Sequence, residues 1–168
     1  MLAADAAAES PLWSACLRPG AEQEREPVFS PLGPSAYALG VETIYEGYLL
    51  HYGRPRLFAP PDADTALLLG DYLYAHGLVR IAATGSTVAV HDLAELISLC
   101  AQARAAGADG DAAAWAATAA LLGEGELEPA RRALREDGRA DALAALARER
   151  AGDEPVTEAL VAHARRVR

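Results

Sequence analysis

Three observations predict an all-α fold, a single-domain antiparallel helical bundle. Ala and Leu, both strong helix formers, dominate a hydrophobic content of 52%. Apolar residues recur at spacings of three and four in successive segments, with no strand alternation or hairpin turn between them. Gly, Pro, Ser and Asp stand where such segments would start and stop. At 168 residues the chain can bury a core without disulfides or metal. The composition divides it into an irregular N-terminal segment (1–33), a helical core (34–122) and charged C-terminal helices packing on that core (123–168).

The first segment is rich in Ala, Pro, Glu and Gly, and its prolines argue against regular structure. Trp13, Val28, Phe29 and Leu32 are its candidates for docking on the body. A first helix is predicted over 35–52, with Ser35 after Pro34 as N-cap. Tyr37, Val41, Ile44, Tyr48 and Tyr52 share one face of it, and Glu42 and Glu46 lie on a neighbouring face. Gly53 and Pro55 end it.

A second helix is predicted over 62–84. Pro60, Pro61, Asp62 and Asp64 mark its start, and Gly85 is a good residue to follow its end. Ser86 then caps a third helix over 87–106, whose expected stripe is Val90, Leu93, Ile97, Cys100 and Ala101. The short link makes the second and third helices antiparallel neighbours. An alanine-rich helix with Trp115 follows over 111–122. Beyond it come amphipathic helices over 128–136, 139–150 and from Pro155 onward, whose charged faces read as solvated surface.

The formal charge is −9, which argues against nucleic-acid binding. Every basic residue other than histidine is arginine, so an arginine at any one position is not evidence of a choice over lysine. Cys16 and Cys100 have no metal-ligand spacing, and Cys100 reads as a small buried hydrophobe in a reducing, cytoplasmic setting. The N-terminus lacks a basic region and makes a poor signal peptide, and no apolar run is long enough to span a membrane.

Asp71 carries the central question. It follows Gly70 in the middle of the very apolar second helix. Leu67, Asp71, Tyr74, Leu78 and Ile81 form one stripe, and Leu68, Asp71, Ala75, Leu78 and Ala82 the adjoining one. On this reading Asp71 is buried and requires a partner, such as a tyrosine hydroxyl, Arg54 or Arg56. Gly70 and Gly77 lie seven apart on nearly one face, and two helical glycines imply close approach of another helix. Tyr72, His76 and Arg80 form a ladder on the opposite side, read as a polar edge in preference to a phosphate-binding or acid–base site. His91 and Glu95 read as a surface pair. Asp62 and Asp64, two apart at a helix start, suit capping better than metal binding. No catalytic, nucleotide or metal motif is present, and no cofactor is called for.

The stretches "ALLLGDYLYAHGLVRIAATGS" and "VAVHDLAELISLCAQA" resemble the central helix pair of trans-isoprenyl diphosphate synthases. Gly70, Asp71, Tyr72, Leu73 and Ala75 stand at the positions of that family's Gly-Asp motif. The tyrosine after Gly-Asp is similar to the non-catalytic small subunit of heptaprenyl diphosphate synthases. The family's aspartate-rich DDxxD motifs are absent, so the resemblance implies the fold fragment and a partner subunit, not catalysis. The leading expectation is a non-catalytic accessory subunit or interaction protein, as a homo-oligomer or as a heterodimer with a polyprenyl synthase catalytic subunit. Its candidate contacts are Tyr45, Tyr48, Tyr52, Asp71, Tyr72, His76 and Arg80. The alternatives are a module binding an apolar or isoprenoid ligand, and a small metal-dependent enzyme built on Asp71, His76 and either His91 or Glu95.

Overall fold

A computed structural model describes residues 2–167 and is an all-α bundle, with no strand among the described residues. Two short helices, α1 (Leu2–Glu9) and α2 (Pro11–Ala15), open the chain. The central helices are α3 (Ala38–Tyr52), α4 (Ala63–Ala82), α5 (Thr87–Ala105) and α6 (Asp111–Ala120). The C-terminal helices are α7 (Glu128–Asp137), α8 (Asp141–Ala151) and α9 (Asp153–Ala164). Asp62 caps α4 by accepting from the Thr65 amide at 2.7 Å, and Ser86 caps α5 by accepting from the Ala89 amide at 3.1 Å.

The irregular reading of the N-terminal segment is corrected over residues 2–15. The run "LAADAAAE" has the helix propensity of alanine, and the prolines lie beyond it. Ser10 then caps α2 by accepting from the Leu12 amide. Val28, Phe29 and Leu32 are buried in the main core, as their apolar character suggested. Ser35 is not an N-cap. Residues Ser35–Tyr37 form a 3-10 turn instead, and α3 begins behind it without a side-chain cap.

α3 and α4 are antiparallel, and glycines bring them together. A Cβ on Gly77 would stand 2.4 Å from Ile44 Cγ1 and 3.1 Å from the Gly40 carbonyl oxygen. A Cβ on Gly47 would stand 2.9 Å from the Gly70 carbonyl oxygen. Gly40 thus faces Gly77 and Gly47 faces Gly70, each pair seven residues from the next, so the glycines leave room for side chains and backbone carbonyls of the facing helix. The helical cost of glycine, about 1 kcal/mol each, is offset by this close packing.

α3 is enclosed on nearly every side: Gly40, Val41 and every residue from Thr43 to Leu50 are buried. Its inner rings stack into an aromatic group of Phe29, Tyr45, Tyr48, Trp115 and His163. The C-terminal helices belong to the same core through Leu134, Leu143, Ala147, Val156 and Ala159. A second, smaller cluster lies under the N-terminal helices, where Ala6 and Cys16 pack with Leu50, Leu57, Phe58, Leu69 and Leu73.

α5 is rotated from its expected register. Its buried side is Ala89, Asp92, Leu93, Leu96, Leu99, Cys100 and Ala103. The predicted stripe and the real one share Leu93 and Cys100, and the packing of α6 and α7 selects between them. The rotation takes Asp92 inside, where Arg131 of α7 donates to it at 3.1 Å and the Gly123 amide at 3.0 Å.

Candidate functional site

Asp71 is exposed, which corrects the expectation of a buried carboxylate. Its side chain retains 66% of its accessible surface, and its neighbour is His51 Nε2 at 3.2 Å. The inward face of α4 is instead Leu69, Gly70, Leu73, Gly77 and Ile81. The stripe through Leu68, Asp71, Ala75 and Ala82 is real, but it points outward. Leu67, Leu68 and Val79 are 52%, 57% and 66% exposed, so α4 carries more exposed large apolar side chains than any other described element. At 1.5 Å per residue, the stripe from Leu68 to Ala82 runs for about 21 Å.

Tyr72, His76 and Arg80 form the third side of α4, and α1 covers them. Asp5 pairs with Arg80, and Glu9 approaches His76 at 3.7 Å. Two acids four apart on one helix thus meet two basic residues four apart on another. Tyr72 stacks on His76 and packs against Trp13 at 5.5 Å between ring centroids. Burial, with the Glu9 carboxylate beside it, pushes the Tyr72 hydroxyl up to about 12. This polar edge is the seat of the chain's own N-terminal helix.

Tyr45 and Tyr48 are fully enclosed, so in the folded chain they are core and not surface. Tyr52 is half-buried. The Tyr48 hydroxyl donates to Asp111 at the start of α6, Arg104 donates to both, and His163 Nε2 stands 3.6 Å from the same carboxylate. Tyr45 shares a hydrogen bond of 3.1 Å with His163 Nδ1. Burial alone would raise the Asp111 carboxyl; contacts from His163 and Tyr48 and the charge of Arg104 overcome it and hold the group well below the usual carboxylate range. Burial first, and then Asp111, push the Tyr48 hydroxyl far above its ordinary value.

A second network was invisible in the sequence except as the pair Glu42 and Glu46. Glu42 Oε1 accepts from the amides of Val28, Phe29 and Ser30 at 3.0, 3.0 and 2.9 Å. Arg56 donates to Glu42 at 2.6 Å and to the fully buried Glu46 at 3.0 Å. Glu46 also accepts from the Leu57 amide at 2.7 Å. This clamp fastens the N-terminal segment and the α3–α4 connection to α3. One guanidinium serves both carboxylates and each of its nitrogens donates, so the clamp reads as structure.

Two open, polar clefts are lined by described residues. One of 640 Å³ lies between α5 and α7, beside His91, Glu95 and Arg135. There Arg135 donates to Glu95 at 2.9 Å, so Glu95 pairs across helices and not with His91. The other, of 530 Å³, is lined by His51, Tyr52, Gly53, Arg54, Arg165 and Arg166. Among the described residues no three His, Cys, Asp or Glu side chains group as a metal site, and no helix is long and apolar enough to cross a membrane. No family model, curated protein or solved structure matches the chain.

Proposed function

We propose that the chain is a non-catalytic helical accessory subunit, which binds a partner through the outward face of α4. The observation that supports this is the stripe itself: Leu67, Leu68 and Val79 are exposed on one helix, with the small Ala75 between them. Apolar side chains on a helix that already has a separate buried face add nothing to the core. Their burial against a partner contributes about 25 cal/mol per Å². Asp71 in the middle of the stripe asks for a cation opposite it, so the partner presents an apolar helix with a basic residue at its centre. The resemblance of the Gly70–Asp71 stretch to isoprenyl diphosphate synthases supports one partner class, the catalytic subunit of a polyprenyl diphosphate synthase.

Size-exclusion chromatography with light scattering on a mixture of the two proteins tests this. A complex is expected, together with a change in the enzyme's product length. Leu68→Glu combined with Val79→Arg should dissolve the complex while leaving the helical circular dichroism unchanged. Two proteins that elute separately, with the enzyme's product unaltered, would overturn the proposal.

A further inference from the structure

The 530 Å³ cleft gathers positive charge on a protein whose net charge is −9. Its arginines come from two distant parts of the chain. Arg54 follows α3, and Arg165 and Arg166 follow α9. One isolated bridge joins them: the Arg54 amide donates to the Arg166 carbonyl at 2.8 Å, and Gly53 pairs with Val167. Gly53 is required for this approach, since a Cβ there would stand 2.7 Å from the Arg166 carbonyl oxygen.

The charges do not balance within the cleft. Glu24 accepts from Arg54 at 2.7 Å and from Arg166 at 2.6 Å. Among the described residues that leaves three guanidinium groups against one carboxylate, with His51 turned to Asp71 at 3.2 Å. Arg166 retains 11% of its side-chain surface, and its Nε and Nη1 are buried with no acceptor. Unpaired charged donors at such depth are costly. The exposed Arg165 has no side-chain partner among the described residues. The clamp around Arg56 shows the contrast, because there two carboxylates surround one guanidinium.

We infer that this cleft binds a phosphate-bearing small molecule, with Arg54 and Arg165 on the phosphate and the Arg166 charge behind them in the wall. Guanidinium groups present paired N–H donors that match phosphate oxygens, and a dianion answers the surplus better than a single carboxylate. The volume lies within the range of small-molecule sites and leaves room for an organic body beside the Tyr52 ring. Glu24 holds Arg54 and Arg166 in place but also competes with the ligand for Arg54.

Isothermal titration of the full chain with inorganic phosphate, glycerol phosphate and acetate, at matched ionic strength, tests the assignment. Saturable binding of both phosphates, and none of acetate, is expected. Arg165→Gln should weaken it by about tenfold, the worth of a charged hydrogen bond, without altering the fold, since Arg165 is exposed. Glu24→Gln should tighten binding by freeing donors on Arg54, an effect opposite to that of damage to a structural ion pair. No saturable phosphate binding, equal binding of acetate, or phosphate binding unchanged by Arg165→Gln would each overturn the proposal.

Discussion

α3 and α4 make an instructive pair. They are antiparallel neighbours, both apolar, both with acids in their middle turns and glycines seven apart. Yet Glu46 of α3 is wholly buried, while Asp71 of α4 stands in solvent. The difference is the number of neighbours. α3 is surrounded by α4, α6, the turn after Phe29 and the loop carrying Arg56. α4 has α3 on one side, α1 on a second and α5 against part of it, while Leu67, Leu68, Asp71 and Val79 on its third side are exposed. An acid inside α3 must bring its own counter-charge, whereas an acid on the outer face of α4 need not.

The strongest way to break this contrast is Arg56→Ala. It leaves Glu46 charged, buried and unpaired, and frees Glu42 from its cation. We expect a loss of about 3–5 kcal/mol, measured by urea unfolding. Next comes the glycine contact. At an exposed helical site Gly→Ala stabilises by about 1 kcal/mol. Gly77→Ala should reverse that sign and cost about 1–3 kcal/mol, because its Cβ would meet Ile44 and the Gly40 carbonyl. A stabilised variant would show that the two helices are further apart than described.

A pH series separates interior from surface in another way. Asp111, held by Tyr48 of α3, has a folded pKa below its unfolded value. Its contribution is fully present above the ordinary carboxylate pKa of about 3.9 and is lost as pH falls from there toward the folded value. Asp111→Asn should therefore flatten the acid limb of the stability curve below about pH 4 and lower the plateau above it. An acid limb identical to the wild type would remove Asp111 from that role. The smallest effect belongs to Asp71→Asn, within about 0.5 kcal/mol of the wild type. Burial pulls the His51 pKa down while Asp71 pulls it up. The same substitution should thus lower the His51 titration midpoint, read from its ring proton shifts.

Much of the secondary structure was legible because its signals are local. Asp62 and Ser86 were recognisable as caps, and the alanine-rich 111–122 stretch as a helix. The α1 helix was hidden by the prolines that follow it, which dominate the character of the first 33 residues. The faces were less legible. Two stripes on α5 are equally apolar, and two on α4 both pass through Asp71, so periodicity alone cannot say which meets a neighbour. Nothing near His51 or His163 in the sequence announces Asp71 or Asp111 as a companion. The arginine cleft was least legible of all, since Arg54 and Arg166 are brought together only when the end of the chain returns to the end of α3.

By itself, then, the amino-acid sequence determined that this chain is helical, where most helices begin and end, and that glycines on α4 demand a close partner. Helices form through hydrogen bonds between residues four apart, and caps act within one turn, so a short window holds the information. Which face of α4 is inside, which acids are paired and where arginines converge were decided by the tertiary structure. Those properties depend on contacts between residues far apart in the chain, and only the packed arrangement of α3, α4, α6 and the C-terminal helices supplies them.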